Sequence, residues 1–158
     1  MATLSGTSGN DALVGVGEGD FFIGTTGNDT LTGAAVSSGV GNAKNQNLVD
    51  YSGLTGPVTI DISAGTVDKG ADGSDVISGI AQARGTDGAD SFSGDDDRNW
   101  FWGFGGNDTL NGLATGDDND RAIYSLDPGG VTVNLSTGIA TDGFGGTDTL
   151  IEIEIVHG

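Results

Sequence analysis

The chain has 158 residues, of which 31 are glycine and none is cysteine. Glycine is almost three times as frequent as the ~7% of an average protein, and this excludes a fold made mainly of α-helices. With 23 acidic and 5 basic residues the formal net charge is -18, which excludes nucleic acid and anionic membrane surfaces as partners.

The acidic residues are mostly aspartate, with 20 Asp against only Glu18, Glu152 and Glu154. Acidity needed for solubility alone would use both types, so the bias indicates a role for the shorter carboxylate. The lack of cysteine excludes disulfide and thiolate sites, and the single histidine, His157, argues against histidine-based metal sites and Ser–His catalysis. The N-terminal residues contain neither a basic segment nor an apolar run, so we expect no cleaved signal peptide and no membrane insertion.

A nine-residue motif recurs along the chain. Its eight copies start at positions 6, 15, 24, 70, 85, 94, 103 and 143. Each copy begins with glycine, continues as a glycine-rich turn, and has one large apolar residue at the eighth place. The sixth place is aspartate in every copy except one, where it is Asn99. One apolar residue in nine gives no helical stripe, so the motif predicts a turn followed by a short strand whose middle side chain faces inward.

A longer repeat is superimposed on the short one. Residues 6–33 match residues 85–112, and the match resumes after a gap between residues 47–85 and residues 120–158. Such a long internal match indicates one domain built from two tandem copies. The predicted parts are a first copy at about 4–80, a second copy at about 81–158, and a variable linker in each, at 34–46 and 113–119.

The motif predicts an all-β fold. Successive short strands would lie on opposite walls, so two nonapeptides form one coil of about 18 residues, and the coils stack as a right-handed parallel β-solenoid. The side chains predicted to face inward are those at the eighth places: Leu13, Phe22, Leu31, Ile77, Phe92, Phe101, Leu110 and Leu150. Two longer alternating strands are predicted to extend the same walls, with inward side chains Val58, Ile60, Ile62, Val131, Val133 and Leu135.

The recurrent aspartate follows from this stacking. Asp11 would lie about one strand spacing, ~4.8 Å, from Asp29, and Asp90 similarly from Asp108. Unpaired carboxylates at that distance repel each other, and the glycine turns leave backbone carbonyls pointing into the gap between loops. Ca²⁺ accepts both kinds of oxygen at flexible geometry, whereas Mg²⁺ demands a stricter octahedron. The pattern therefore favours calcium bound between loops.

The nonapeptides resemble the GGxGxDxUx repeats of the RTX (hemolysin-type) calcium-binding family. The resemblance implies a parallel β-roll in which calcium lies between stacked loops, with roughly five to eight ions along a chain of this length. It implies these carboxylate ligands: Asp11, Asp20, Asp29, Asp75, Asp90, Asp108, Asp120 and Asp148. It also implies ligands from the turns themselves, mainly backbone carbonyls: Gly6, Ser8, Gly9, Gly24, Thr26, Gly27, Gly70, Asp72, Gly73, Gly85, Asp87, Gly88, Gly103, Gly105, Gly106, Gly143, Gly145 and Gly146. The repeat at 15–23, with Glu18 and Gly19, and the repeat with Asn99 depart from the family pattern, and we expect weaker or empty sites there.

Two other roles for the aspartates were considered, as caps of their own turns and as catalytic carboxylates. An aspartate in a turn commonly caps its own backbone, although eight repeats in one phase favour metal binding. The many carboxylates do not single out a pair with the features of a glycosidase site, and we expect no enzymatic activity.

An apolar wall is predicted where the seventh and ninth places of some repeats face outward: Phe21, Ile23, Trp100 and Trp102. Exposed aromatic patches usually mark a contact. The alternatives are that the linkers fold over this wall, that it contacts a protein or a neighbouring domain of a longer parent protein, or that it stacks on sugars.

The function predicted from these patterns is a calcium-binding module that folds on binding extracellular Ca²⁺. Without metal we expect the acidic chain to be largely unfolded, so that binding and folding are coupled. The resemblance implies a secreted or cell-surface bacterial protein exported unfolded by type I secretion, with the module in a structural role. The alternative is an adhesive or polysaccharide-binding module that uses Trp100, Trp102 and Phe21.

Overall fold

A computed structural model of the chain describes residues 1–17, 19–34, 46–113 and 119–158. Glu18 and all but the end residues of the two predicted linkers lie outside these ranges. So do the predictions that fall on them, namely that the linkers cover the aromatic wall and that Glu18 weakens its site. No helix in the described ranges is long and apolar enough to cross a membrane.

Short strands make up almost all of the regular structure in these ranges, with one 3-10 turn at Gly70–Asp72. The strands in chain order are β1 (Thr3–Ser5), β2 (Ala12–Val14), β3 (Phe21–Ile23), β4 (Thr30–Thr32), β5 (Leu48–Asp50), β6 (Thr59–Asp61), β7 (Thr66–Asp68), β8 (Ser74–Ser78), β9 (Gln82–Arg84), β10 (Ser91–Ser93), β11 (Trp100–Trp102), β12 (Thr109–Asn111), β13 (Arg121–Ile123), β14 (Thr132–Asn134), β15 (Ile139–Thr141), β16 (Thr147–Ile151) and β17 (Ile155–His157). Most have three residues because each nonapeptide uses its first six positions for the turn.

The strands form two sheets. Sheet A has seven strands, all parallel, in the order β1-β3-β5-β9-β11-β13-β17. Sheet B has ten strands in the order β14-β15-β16-β12-β10-β6-β7-β8-β4-β2. From β1 to β6 and from β8 to β14, consecutive strands alternate between the sheets. The prediction of an all-β chain with parallel sheets is confirmed.

Parallel neighbours are often eighteen residues apart in sequence. Leu13 pairs with Leu31 in sheet B, and Phe92 pairs with Leu110. In sheet A, Leu4 pairs with Phe22 in the same way. A strand and its parallel neighbour are therefore two nonapeptides apart, and the eighth places of every second repeat come into register.

Each copy also contains an antiparallel meander that the sequence reasoning did not predict. In the first copy β6, β7 and β8 pair antiparallel, and in the second β14, β15 and β16 do so. Gly65 and Gly138 in the connecting turns have φ of 71° and 65°, a conformation that favours glycine. Each predicted long strand is therefore a three-residue strand that ends at a tight turn.

The core lies between the two sheets and is formed mainly by the predicted inward side chains. Seven of the eight eighth-place residues are buried, and Leu13 is half-buried. Val58 and Ile60 are also buried, while Ile62, Val131 and Val133 are half-buried and pack against the core. The prediction for Leu135 is wrong, because it follows the last residue of β14, lies in the turn and is 45% exposed.

Candidate metal centre

The first glycine and the sixth-place aspartate of a repeat lie against each other. A Cβ atom built on Gly85 would lie 2.1 Å from Asp90 Oδ2, and one on Gly103 would lie 2.1 Å from Asp108 Oδ2. At Gly6 the corresponding distance, to Asp11 Oδ2, is 2.7 Å. In these copies no side chain fits at the first place while the carboxylate is folded over it. Gly24, Gly70 and Gly143 have no aspartate of their own turn among the atoms nearest to a built Cβ, so the contact explains the pairing of the two positions in only some of the copies.

The aspartate caps its own turn. Asp11 Oδ2 accepts the backbone N–H of Thr7 at 2.6 Å. The N–H of Val16 donates to Asp20 Oδ2 at 2.7 Å, and the N–H of Thr86 donates to Asp90 Oδ2 at 2.6 Å. The simpler interpretation of these aspartates as turn caps therefore describes contacts that exist in the structure. In each of these aspartates Oδ2 also accepts a second hydrogen bond, from the Thr7 hydroxyl, the Gly17 N–H or the Thr86 hydroxyl. A cation at this oxygen would therefore have to share it with these donors or displace one of them.

The other carboxylate oxygen joins consecutive turns. The N–H of Asp11 donates to Asp29 Oδ1 at 2.9 Å, and the N–H of Asp29 donates to Asp75 Oδ1 at 2.9 Å. We call Asp11, Asp29 and Asp75 the first aspartate row. Each turn is thus fixed to the next by its own sixth residue.

The second copy repeats this chain of contacts. The N–H of Asp90 donates to Asp108 Oδ1 at 2.8 Å, and the N–H of Asp108 donates to Asp148 Oδ1 at 2.9 Å. We call these three residues the second aspartate row. All three are buried.

Two predicted ligands lie apart from these rows, at turns that lead into sheet A. Asp20 accepts the N–H of Ala2 and donates its own N–H to Asn47 Oδ1 at 2.8 Å. Asp120 accepts the N–H of Asn99 at 2.6 Å, and its own N–H donates to Glu154 Oε2. At these turns beside sheet A, asparagine or glutamate takes the place that aspartate has in the two aspartate rows. The hydrogen bonds between turns therefore do not themselves require aspartate.

The predicted turn glycines also stack closely. Cβ atoms built on Gly27 and Gly73 would lie 2.5 Å and 2.3 Å from the carbonyl oxygens of Gly9 and Gly27. In the second copy the Gly88 carbonyl lies equally close, 2.3 Å, to such an atom on Gly106. Carbonyl oxygens therefore do lie between consecutive turns, as the stacking argument predicted.

The other predicted turn ligands have varied surroundings. Asp87 and Ser8 are exposed, and Asp72 belongs to the 3-10 turn, where its carbonyl accepts the N–H of Gly27 at 2.8 Å. Gly24 packs on the ring of Tyr51, with a built Cβ only 2.2 Å away.

A polar ladder at the fifth place was not predicted. Asn10 Oδ1 accepts the N–H of Asn28 at 2.9 Å, and Asn28 Oδ1 accepts the N–H of Ser74 at 2.8 Å. Asn107 makes the same contact with Thr147. The sequence signal for this ladder is the Asn-Asp pair in several repeats. The asparagine accepts a hydrogen bond between turns on the outside of the turn, and the aspartate accepts one on the inside.

A buried ammonium group neutralises the first aspartate row. Lys69 donates to Asp75 Oδ1 and, at 2.7 Å, to the carbonyl of Thr25, and its Nζ lies 3.7 Å from Asp29 Oδ2. The buried Tyr51 hydroxyl donates to Asp75 Oδ2 at 2.8 Å. We call these five residues the Lys69 site. Sequence reasoning missed Lys69 because it lies outside the nine-residue motif.

Burial raises the pKa of carboxyl groups in the second aspartate row. It is the main cause for Asp90 and Asp148, and it raises the pKa of Asp108 to about 8, with the neighbouring charges of Asp148 and Asp90 adding to the effect. Among the residues that the structure describes, no group of three or more His, Cys, Asp or Glu side chains is gathered tightly enough to hold a metal ion. A cation in these turns would therefore need backbone carbonyls beside one or two carboxylates.

The predicted aromatic wall is less exposed than expected. Trp102 is 8% exposed, so the prediction that it faces solvent is wrong. The Arg84 guanidinium lies 5.1 Å from the centre of its ring and is held by Asp50 at 3.1 Å. Trp100 is half-buried under Arg121, and Phe21 and Ile23 are half-buried too. Cation–π contacts from neighbouring strands of sheet A cover part of the two tryptophan rings.

No protein-family model matches the chain, and no curated protein matches it either.

Proposed function

We propose that this chain is a calcium-binding β-roll module that folds when it binds extracellular Ca²⁺ and has a structural role in a secreted bacterial protein. The observation that carries the proposal is the pair of aspartate rows, in which six carboxylates, five of them buried, lie on consecutive glycine turns with carbonyl oxygens stacked beside them. Carboxylates together with backbone carbonyls are the oxygen set that Ca²⁺ takes in proteins.

The roll itself is part of the proposal. It is supported by the alternation of consecutive strands between sheets A and B and by the eighteen-residue register of their parallel pairs. Stacked repeats of this kind bury a continuous core, although each repeat contributes only one large apolar residue. Such a core is thin, and a net charge of -18 opposes compaction.

Calcium would relieve this opposition. If six ions bind, the formal charge falls to about -6, and each ion joins two turns, so that binding free energy becomes folding free energy. Extracellular calcium modules typically have Kd values of about 10⁻⁴ to 10⁻³ M and would be empty in a bacterial cytosol. This favours a chain that stays loose inside the cell and folds after export.

The test is a circular dichroism titration with CaCl₂ from a metal-free start. The proposal expects a low strand signal in chelator and a cooperative gain between about 0.1 and 10 mM Ca²⁺. NaCl at matched ionic strength and MgCl₂ at matched concentration are the controls, because simple screening of repulsion would respond to both. A full strand signal in excess chelator, unchanged by calcium, would contradict the proposal.

The polysaccharide-binding alternative receives less support from the structure. Its ligand surface required Trp100 and Trp102 to stand in solvent, but Trp102 is buried and Arg84 and Arg121 occupy the ring faces. We therefore assign the aromatic residues to packing on the outer face of sheet A.

A further inference from the structure

The second copy contains the same frame as the Lys69 site. Asp108 donates its N–H to Asp148 Oδ1 at 2.9 Å, and the Tyr124 hydroxyl donates to Asp148 Oδ2 at 2.9 Å. These contacts match those of the corresponding residues in the first copy to within 0.1 Å. The two aspartates and the tyrosine are thus held in one arrangement twice along the chain.

Two substitutions distinguish the copies. By the offsets of the long repeat, Phe104 stands in place of Thr25 and Asp142 stands in place of Lys69. In the first copy the Thr25 hydroxyl donates to the Asp29 carboxylate at 3.2 Å, and the ammonium lies on the same oxygen. The second copy therefore lacks both groups that this oxygen contacts.

Two carboxylate oxygens are left over as a result. Asp108 and Asp142 are 1% and 3% exposed, and in the described part of the chain the Oδ2 atom of each is buried with no hydrogen-bond partner. Asp142 uses its Oδ1 atom to accept the N–H groups of Phe144, Gly145 and Gly146. A buried carboxylate oxygen without a partner is strongly unfavourable, so this arrangement calls for a cation.

The free oxygen of Asp142 faces the gap between stacked turns. A Cβ atom built on Gly146 would lie 2.6 Å from Asp142 Oδ2 and 1.6 Å from the Gly106 carbonyl oxygen. The carboxylate of Asp142 also repels those of Asp108 and Asp148. Carboxylate and carbonyl oxygens therefore converge beside one glycine.

Charge completes the comparison. Fully ionised, the two aspartates and the lysine of the Lys69 site carry a net charge of -1, whereas Asp108, Asp142 and Asp148 carry -3. A divalent cation would restore -1. Asp127, whose Oδ2 accepts the N–H of Gly143 at 2.8 Å, lies close enough to Asp142 for their charges to interact and adds to the attraction for a cation.

We propose that a Ca²⁺ ion binds between Asp108 Oδ2 and Asp142 Oδ2 and performs in the second copy the role that the Lys69 ammonium performs in the first. The inference rests on the proposed function, since it assigns one ion of a calcium-binding module. It adds that the Lys69 site is metal-independent, so the two copies depend on calcium unequally. By position in the repeat the Phe104 carbonyl corresponds to the Thr25 carbonyl that binds Lys69, and the Gly106 carbonyl lies with Asp142 Oδ2 beside Gly146.

A proton is the competing neutraliser. The pKa of Asp108 lies near 8 because the carboxyl is buried among like charges, so a protonated Asp108 would also remove one charge. The calcium explanation and the proton explanation predict different results when lysine replaces Asp142. If Ca²⁺ neutralises the site, the lysine ammonium takes the place of the ion and the protein binds one Ca²⁺ fewer. If a proton neutralises the site, the lysine leaves the number of bound Ca²⁺ ions unchanged.

The experiment is calcium titration calorimetry on the full chain and three variants. Asp142→Lys rebuilds the Lys69 site in the second copy, and Asp142→Asn removes one charge at almost constant shape. Asp96→Lys is the matched control, because it makes the same charge change at an exposed aspartate. We expect Asp142→Lys to bind one Ca²⁺ fewer than the parent, Asp142→Asn to bind one ion at least about tenfold more weakly, and Asp96→Lys to keep the parent stoichiometry.

The reciprocal variant is Lys69→Asp, which should gain one Ca²⁺ and need a higher calcium concentration to fold. It keeps the test decisive if Asp142→Lys fails to fold. Unchanged stoichiometry and affinity in Asp142→Asn and Lys69→Asp, with a parent chain that still binds calcium, would overturn this inference and leave the proposed function standing. No calcium binding by the parent at 10 mM would overturn both, which separates the two failures.

Discussion

The contact between the first glycine and the sixth-place aspartate gives the most direct test of the turn structure. Gly103→Ala would place a methyl group 2.1 Å from Asp108 Oδ2 and 2.9 Å from its Cγ. Asp108 is too short and too buried to swing its carboxylate clear without turning at χ1. Such a turn would break the hydrogen bond from the Asp90 N–H, which is 2.8 Å long.

The size of the effect follows from that lost contact. A hydrogen bond to a charged group contributes about 1.5–3 kcal/mol, so we expect Gly103→Ala to lower the free energy of unfolding by about 2 kcal/mol. For a chain of this length that corresponds to a fall in Tm of roughly 4–8 °C. Urea denaturation in saturating calcium, followed by circular dichroism, measures it.

Gly53→Ala is the matched control, because nothing lies within 4 Å of a Cβ built there. At such a site alanine stabilises by up to about 1 kcal/mol through the unfolded chain. If Gly103→Ala proved as stable as Gly53→Ala, the carboxylate does not lie over the glycine and the explanation of the motif given above is wrong.

Three further predictions concern charge and packing. In calcium-free buffer with enough sucrose to keep the chain folded, the protein should gain stability as the pH falls from 9 to 5, because the pKa of Asp108 is about 8 in the folded chain and about 4 in the unfolded one; its contribution is complete below about 4 and is lost as the pH rises through 8. Asp108→Asn should flatten this pH dependence of the urea midpoint, and an unaltered profile would contradict the assignment. Lys69→Met should cost about 3–5 kcal/mol in the same sucrose buffer, since it leaves two buried carboxylates without their ammonium group; an unchanged urea midpoint would refute it. Trp102→Ala should cost about 3 kcal/mol and Trp100→Ala clearly less, as expected of a buried and a half-buried ring; equal losses would show that both rings are packed alike.

The repeat pattern was sufficient to predict the short strands, the parallel pairing of many of them and most of the core side chains. The apolar residue at the eighth place is the only large side chain in nine that can enter a core, so Phe22 and Phe101 had to face inward. Because the turn has a constant length, each strand falls in register with one eighteen residues away, as in the pairing of Leu13 with Leu31. Hydrophobic burial and fixed turn length are local properties, and a single sequence displays both.

The features that were missed depend on contacts between distant residues. The meanders arise because β7 and β15 return at a tight glycine turn, yet their alternating residues look like a continuation of the preceding strand. Trp102 was predicted to be exposed because its place in the motif faces outward. In the structure its ring contacts the guanidinium of Arg84. Arg84 lies eighteen residues earlier in the chain, on the strand that pairs with that of Trp102 in sheet A. A periodic pattern predicts which way a side chain points, but it does not predict which residues of other strands pack on that side chain.

The electrostatic design is governed by residues that the motif does not include. The aspartate rows of the two copies have the same hydrogen bonds, so the repeat alone would give them the same need for a cation. The single position occupied by Lys69 in one copy and Asp142 in the other changes the local charge by two units. A proton, an ammonium and a divalent cation all relieve the same stacked carboxylates, and only the last depends on the calcium level around the protein. The number of copies that carry an internal lysine would therefore set how steeply a chain of such repeats responds to calcium, independently of how many aspartates it contains.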